Sequence, residues 1–385
     1  MIALTCSGIA AHRHLLSPIV VLLLFTTLAL ASAPLAPSAR AQTVVTTVSV
    51  GQYPFGIAYD SSKGEVFVAN AGNDTVSVIS DATNTVVATV GVGGSPYGVA
   101  YDAAKGEVFV TNGNNTFSVV SVISDATNTV VATVGVRASA NGVAYDAAKG
   151  EVFVANEFNG TVSVISDATN TVVATVGVGG SPYGVAYDAA KGEVFVTNYG
   201  GGPVSIISDA TNAVVATVGV GTFASGIAYD SAKGEVFVAV FDRVGHAGRA
   251  SVISVVTNTV VATVGVRASP YGVAYDSGAG EVFVTNGYNN TVSVISDATN
   301  TVVATVNVEN FAHSAAYDAG KGEVFVTNSG GNTVSVISDS SGGGLGIPEF
   351  PVQLGFALLV TAIVVASYAS ARRGFRIDKQ PPIAD

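Results

Sequence analysis

The 385-residue chain has one cysteine, Cys6, no tryptophan, and no methionine beyond Met1. Cys6 lies in a leader expected to be removed, which leaves the mature chain without a thiol. Disulfides, thiolate catalysis, Cys-ligated zinc, iron–sulfur clusters and covalent c-type haem are thereby excluded. Histidine is nearly as scarce. His12 and His14 share the leader, and His246 and His313 are too few for a multi-histidine metal site. Charged residues are 11% of the chain, against about 25% in ordinary soluble domains. The net charge of −11 argues against nucleic acid, whose binding needs cationic patches that displace counterions. No cofactor, no metal and no catalytic set is expected.

Val, Thr, Ala, Gly and Asn dominate instead. β-Branched side chains pack well on pleated surfaces, so the mixture suits strands joined by tight turns. Such a chain is read first for repeats. Glu-Val-Phe-Val recurs from Glu65, Glu107, Glu151, Glu193, Glu235, Glu281 and Glu323, at spacings of 42, 44, 42, 42, 46 and 42 residues. Each unit runs through G-V-A-Y-D, a K-G turn, E-V-F-V-T-N, a variable loop, T-V-S-V-I-S, a D-A-T-N turn and T-V-V-A-T-V. Four apolar runs between Gly, Asn and Asp turns predict four strands. Four strands repeating every 40 to 45 residues or about that length is the signature of a propeller blade. Runs apolar at nearly every position predict sheets covered on both faces, as blades in a ring are.

The ends of the repeat region favour a closed ring over a solenoid. The seventh unit stops after Thr333–Ser338 without its T-V-V-A-T-V, and the missing strand stands at the head as Thr43-Val44-Val45-Thr46-Thr47-Val48. One circular shift completes every blade and covers the edge that an open sheet would present. The expected fold is all-β: a seven-bladed β-propeller of four-stranded antiparallel blades over residues 42–339, closed by the N-terminal strand, plus one C-terminal transmembrane helix.

That helix is read from the chain's far end. Val352–Ala371 is free of charge and as a helix spans roughly 30 Å, the thickness of a bilayer's hydrocarbon core. Arg372, Arg373, Arg376 and Lys379 follow, which places the 372–385 tail in the cytoplasm. At the head, Arg13 precedes the apolar run Ile19–Leu30, the layout of a secretory signal peptide over residues 1–41 with Gln42 as the new N-terminus. The propeller is expected at the cell surface, held close to the membrane by a short Ser/Gly linker within residues 340–351.

V-F-V-T-N at Val108–Asn112, Val194–Asn198, Val282–Asn286 and Val324–Asn328, with S-P-Y-G-V-A-Y-D at Ser95–Asp102 and Ser181–Asp188, resembles the YVTN family of β-propeller repeats. Phe stands for the family's first Tyr throughout, and the fifth blade reads Phe237-Val238-Ala239-Val240, losing the Asn. The resemblance covers Thr43 to Ser338 and extends to archaeal surface-layer-type proteins. Ile347-Pro348-Glu349-Phe350-Pro351, the apolar run and the basic tail together resemble a PEF-type sorting signal of archaeal surface proteins. The resemblance implies fold and display, with the membrane as one partner and surface-layer proteins or glycans as the others. It leaves two fates for the helix, retention or exchange for a lipid anchor.

Propeller geometry sorts the loops into two faces. The Y-D-x-x-K-G-E and S-D-A-T-N turns hardly vary between the seven copies, and their Asp residues are read as caps of their own turns. The loops after V-F-V-T-N and T-V-V-A-T-V vary and share the other face. Binding is assigned there, since function usually sits on loops carried by a rigid scaffold. Its candidate ligand residues are Arg137, Asp242, Arg243, His246, Arg249, Arg267, Glu309 and His313, with arginine suited to a carboxylate, sulfate or acidic sugar. N-x-[ST] sequons at Asn73, Asn114, Asn159 and Asn289 lie in the same loops as candidate glycosylation sites. Two functions remain open: a non-enzymatic surface module for binding, adhesion or lattice contact, and an extracellular enzyme of lyase, lactonase or dehydrogenase type. Convergence of the charged loop residues in one pocket would favour the second.

Overall fold

The turn chemistry closes each hairpin. A leading strand, β1 (Thr43–Ser49), precedes the first blade, which comprises β2 (Pro54–Asp60), β3 (Glu65–Asn70), β4 (Thr75–Ser80) and β5 (Thr85–Gly91). Between β2 and β3 the Asp60 Oδ1 accepts the backbone N–H groups of Ser62 at 2.8 Å and Lys63 at 3.2 Å. Gly64 then turns the chain at φ 66°. Asn84, at φ 52°, turns β4 into β5. The side-chain oxygen that caps the turn is why these Asp residues recur.

The computed structural model of the protein describes residues 42–113, 117–242 and 248–338. The leader, the linker, the PEF-like segment, the apolar run and the basic tail lie outside the described residues, as do Asn114, Arg243 and His246. Among the described residues no helix is long and apolar enough to cross a membrane.

Seven four-stranded antiparallel sheets form, each in sequence order except the last. There β1 lies beside Thr333–Ser338, so the head of the chain supplies the seventh blade's outer strand. The pairing runs from Thr43 opposite Ser338 to Ser49 opposite Thr333, with a register shift between Val44 and Thr46. The β4–β5 pair shifts at the equivalent place, between Val78 and Ile79. The permuted strand therefore reproduces an ordinary outer strand, bulge included.

Seven hydrophobic cores lie between blades. Between the first two, Phe67, Val76, Val78 and Val90 of one meet Val99, Val108, Val110 and Ile123 of the next. At the seam, Val48, Phe325, Val334 and Val336 meet Ile57, Val66, Val68 and Ile79. The Phe of every E-V-F-V is fully buried, from Phe67 to Phe325. Coverage on both faces holds for the middle strands, but each outer strand stands on the rim, where Val87 is 53% exposed.

Polar groups join the blades on the constant face. Lys63 pairs with Asp125 at 3.3 Å, Lys105 with Asp167 at 3.1 Å, and Lys321 closes the circle on Asp81 at 3.5 Å. In five blades the lysine beside the Y-D turn thus reaches the S-D carboxylate of the following blade, whereas Lys191 meets Glu193 and the sixth blade has Ala279 at that place. The same carboxylates accept a tyrosine hydroxyl of their own blade, as from Tyr59 to Asp81 at 3.1 Å and Tyr145 to Asp167 at 3.1 Å.

At the axis the first strands nearly touch. A Cβ on Gly56 would stand 2.1 Å from the Tyr97 carbonyl, and one on Gly98 would stand 2.4 Å from the Asn141 carbonyl. Gly91, at the end of β5, has nothing within 4 Å. Gly98→Ala is therefore expected to cost about 1–3 kcal/mol in urea denaturation, whereas Gly91→Ala is neutral or stabilising by up to about 1 kcal/mol. Equal effects would disprove the packing described. Deleting residues 42–49 bares the edge of Thr333–Ser338 and opens the seam core. The melting temperature is expected to fall by roughly 10 °C or more, with partial recovery when a peptide of that sequence is added. An unchanged melting temperature would count against closure.

Candidate functional site

The axial end of the variable face is built from one position in each first strand. The second residue of these strands is Phe55, Tyr97, Asn141, Tyr183, Ser225, Tyr271 and His313 in blade order. The residue two places earlier bends the chain inward with positive φ, from 52° at Tyr53 and Ser95 to 60° at Phe311. Side chains from the preceding blade hold this bend. Asp74 Oδ1 accepts the Ser95 N–H at 2.8 Å, Asn290 that of Phe311 at 2.9 Å, and Asn332 that of Tyr53 at 3.0 Å. A bulky residue with positive φ is unfavourable alone, and these bonds fix it in place.

The convergent side chains are mainly aromatic. Phe55 stacks on Tyr97 with centroids 4.9 Å apart, and Tyr271 on His313 at 5.2 Å and 18°. Phe55 also meets His313 at 4.6 Å. The Tyr97 hydroxyl contacts that of Tyr183 and lies 3.1 Å from His313 Nε2. A second tier, supplied by the loops, extends the cluster: Tyr199 packs on Tyr183 at 5.6 Å, Phe223 on Tyr199 at 5.3 Å, and Phe311 on Tyr271 at 5.4 Å. Beneath lies an axial cavity of about 170 Å³, lined by all seven first strands and by Tyr97, Tyr183, Tyr271 and His313.

Burial sets the protonation of the mouth. It lowers His313 to about 3, so the imidazole is neutral at ordinary pH. It raises Tyr97 and Tyr183 well above the usual phenol value, and Tyr271 to about 12. The rings therefore present neutral hydroxyls and π-faces.

Two blades break the aromatic circle, the fifth with Ser225 and the third with Asn141. In the third, Asn141 occupies the axial position, and its Nδ2 donates to Glu157 Oε2 at 3.0 Å, which Ser139 Oγ approaches at 3.2 Å. Glu157 follows the second strand, where other blades carry Ala71, Gly113, Tyr199, Phe241, Gly287 and Ser329. The mouth is an aromatic cluster with one carboxylate at its edge.

Of the candidate residues from sequence that the structure describes, His313 alone lies at the axial cavity. His313 lies within its first strand, 5% exposed, rather than in an entry loop. Arg137, Arg267 and Glu309 are exposed in entry loops. Arg267 borders a separate groove with Asn289, Ser293, Val302 and Thr305. Arg249 Nη2 donates to the Val220 carbonyl at 3.0 Å, and Asp242 is half-buried. Asn73, Asn159 and Asn289 are exposed, and their Oδ1 atoms accept backbone N–H groups of Gln52, Ala138 and Ala268. A glycan would join Nδ2, so that staple and a sequon role are compatible. Among the described residues no group of three or more His, Cys, Asp or Glu side chains could hold a metal ion.

Sequence reasoning passed over Phe55, Tyr97, Asn141, Tyr183, Ser225, Tyr271 and Glu157. A signal for most of them was present: within a strand otherwise reading G-V-A-Y-D, the residue before the Gly, or before Ser314 in the seventh blade, changes among Phe, Tyr, Asn, Ser and His.

No family model and no curated protein matches the chain. Solved structures share the fold. Hydrazine synthase of Kuenenia stuttgartiensis aligns with a TM-score of 0.68 at 15% identity, covering 74% of this chain and 95% of that one. The Cps50 (Swd1) β-propeller domain of Myceliophteria thermophila aligns with a TM-score of 0.64 at 10% identity, covering 77% and 99%. At such identities the likeness shows the propeller fold alone.

The buried imidazole has a measurable signature. Its folded-state value lies below the unfolded 6.5, so the unfolded chain binds the extra proton and stability falls as pH drops from about 6.5 toward 3. His313→Asn, the residue used at this position in the third blade, removes that loss. At pH 4.5 the variant is expected to gain roughly 2–3 kcal/mol relative to its own difference from the native protein at pH 7. Urea denaturation at both pH values checks this, and a pH-independent difference would refute a neutral buried His313.

Proposed function

We propose that this protein is a non-enzymatic binding module displayed at the cell surface, with the axial mouth of its variable face as the ligand seat. The single observation that carries the reading is which groups converge. Aromatic rings and neutral hydroxyls meet at the axis, while Arg137, Arg267 and Glu309 stand exposed on the rim. Concave aromatic surfaces with a few placed polar groups are the usual make-up of ligand pockets. An acid–base enzyme needs a nucleophile or base oriented by a third group. His313 is instead spent on Tyr97 and on Ser314, whose Oγ lies 3.1 Å from its Nδ1.

Display rests on the sequence: the leader, the apolar run before a basic tail, and the PEF-like segment. The tether is a retained helix or a lipid anchor. Its partners are glycans or surface-layer proteins, in keeping with the YVTN-like repeats. Exposure of Asn73, Asn159 and Asn289 supports glycosylation on the same face.

The test uses the soluble ectodomain, residues 42–340, on a glycan array and against isolated cell-surface material. Binding is expected to be lost in Tyr183→Ala/Tyr271→Ala and kept in Arg137→Ala/Arg267→Ala, with melting temperatures confirming that both variants fold. The reverse pattern would move the seat to the rim. Catalytic turnover of a bound sugar or lactone would replace the binding reading with the enzymatic one.

A further inference from the structure

We infer that the axial mouth takes an organic ammonium ion, with Glu157 as its counter-charge and the rings of Tyr97, Tyr183 and Tyr271 as its walls. This rests on the axial seat proposed above and adds the chemical class of what occupies it.

Glu157 is where the argument starts. It is the only acidic residue at its position among the seven blades, and it enters the mouth where Asn141 replaces an aromatic side chain. Its Oε2 is held by two neutral donors, Asn141 and Ser139. Among the described residues it forms no ion pair, in contrast to the constant face, where Lys63, Lys105, Lys149, Lys191, Lys233 and Lys321 all do. A carboxylate pinned in one orientation and left without a cation is costly to bury further, unless an incoming positive charge meets it.

The surroundings fit a cation and repel an anion. His313, the one titratable base in the mouth, is neutral. Aromatic rings carry negative potential on their faces and attract ammonium groups within about 6 Å of the centroid. The cavity lining includes Tyr97, Tyr183 and Tyr271 and neither lysine nor arginine. The cavity of about 170 Å³ corresponds to about five or six water volumes at roughly 30 Å³ each, enough for a methylated ammonium head group. Gly142, the residue after Asn141, lines that cavity. The chain's net charge of −11 adds long-range attraction of the same sign.

The test is calorimetric or NMR titration of the ectodomain with choline and with its neutral isostere 3,3-dimethylbutanol. Native protein is expected to bind choline at least tenfold more tightly than the isostere, and Glu157→Gln, which keeps an oxygen for Asn141, to erase most of that preference. Tyr271→Leu is expected to weaken choline roughly tenfold. Arg137→Ala serves as a rim control and leaves binding in place. Equal affinity for choline and the isostere, or an unchanged preference in Glu157→Gln, overturns the ammonium assignment while leaving the axial seat intact. Absence of choline binding also overturns it. Loss of the array or surface ligand in Tyr183→Ala/Tyr271→Ala then shows that the seat itself stands with another ligand class.

Discussion

The near-contact of seven first strands around one axis is the constraint from which the rest follows. Those strands approach so closely that Gly56, Gly98, Gly142, Gly184, Gly226 and Gly272 each face the neighbouring blade's backbone, with no room for a side chain. The approach also sets up direct blade-to-blade hydrogen bonds. Thr111 Oγ1 donates to the Asn141 carbonyl at 2.6 Å, Thr197 to that of Ser225 at 2.6 Å, and Thr327 to that of Phe55 at 2.8 Å. The last of these crosses the seam, so the seventh blade grips the first as firmly as any other pair. A ring this tight has no use for an open end. Without β1, Phe325, Val334 and Val336 would lose Val48 from their core and the sheet would show a bare edge.

Repetition then divides the labour. Where a residue serves the ring it hardly changes: the buried Phe, the Tyr that donates to an S-D carboxylate, the Lys that reaches the next blade. The fifth blade shows what a substitution there does. Val255 replaces the Asp, joins the neighbouring apolar core, and leaves Lys191 beside Glu193 at 3.6 Å. Where a residue serves only the axial mouth, the copies diverge freely, because the backbone bend is held from outside by Asp74, Asn290 and Asn332. Tyr, Phe, Asn, Ser and His can be exchanged at one site without disturbing the sheet behind it.

The architecture was legible in the sequence to the level of a single strand, and for a physical reason. Strand, turn and bulge are local, and seven copies average out the noise of any one. The displaced T-V-V-A-T-V could be placed because a blade without it has an unsatisfied edge. The mouth was far less legible. Phe55, Tyr97, Tyr183, Tyr271 and Glu157 come from blades spread over a hundred residues and more, and each alone reads as an ordinary strand or loop residue. Charge drew the eye to Arg137 and Arg267, yet charge is cheap on an exposed rim and carries little information there. The exposed valines of the outer strands were hidden too, since an apolar run looks the same whether it faces a neighbour or the solvent.

The two faces also differ in how their charges are settled. On the constant face every described Y-D and S-D carboxylate has a turn amide, a tyrosine hydroxyl or a neighbouring lysine at one oxygen, while the second oxygen of each Y-D carboxylate, from Asp60 to Asp318, is buried without a hydrogen bond. Burial there raises Glu65, Glu107, Glu151, Glu235 and Glu323 above the ordinary carboxylate value, so the folded ring favours their neutral forms. Their stability contribution improves as pH falls toward those raised values, opposite in sign to that of His313. On the variable face Glu157 is oriented by Asn141 and Ser139 and forms no ion pair among the described residues. The constant face thus carries six lysine–carboxylate pairs, whereas Glu157 on the variable face is held by neutral donors.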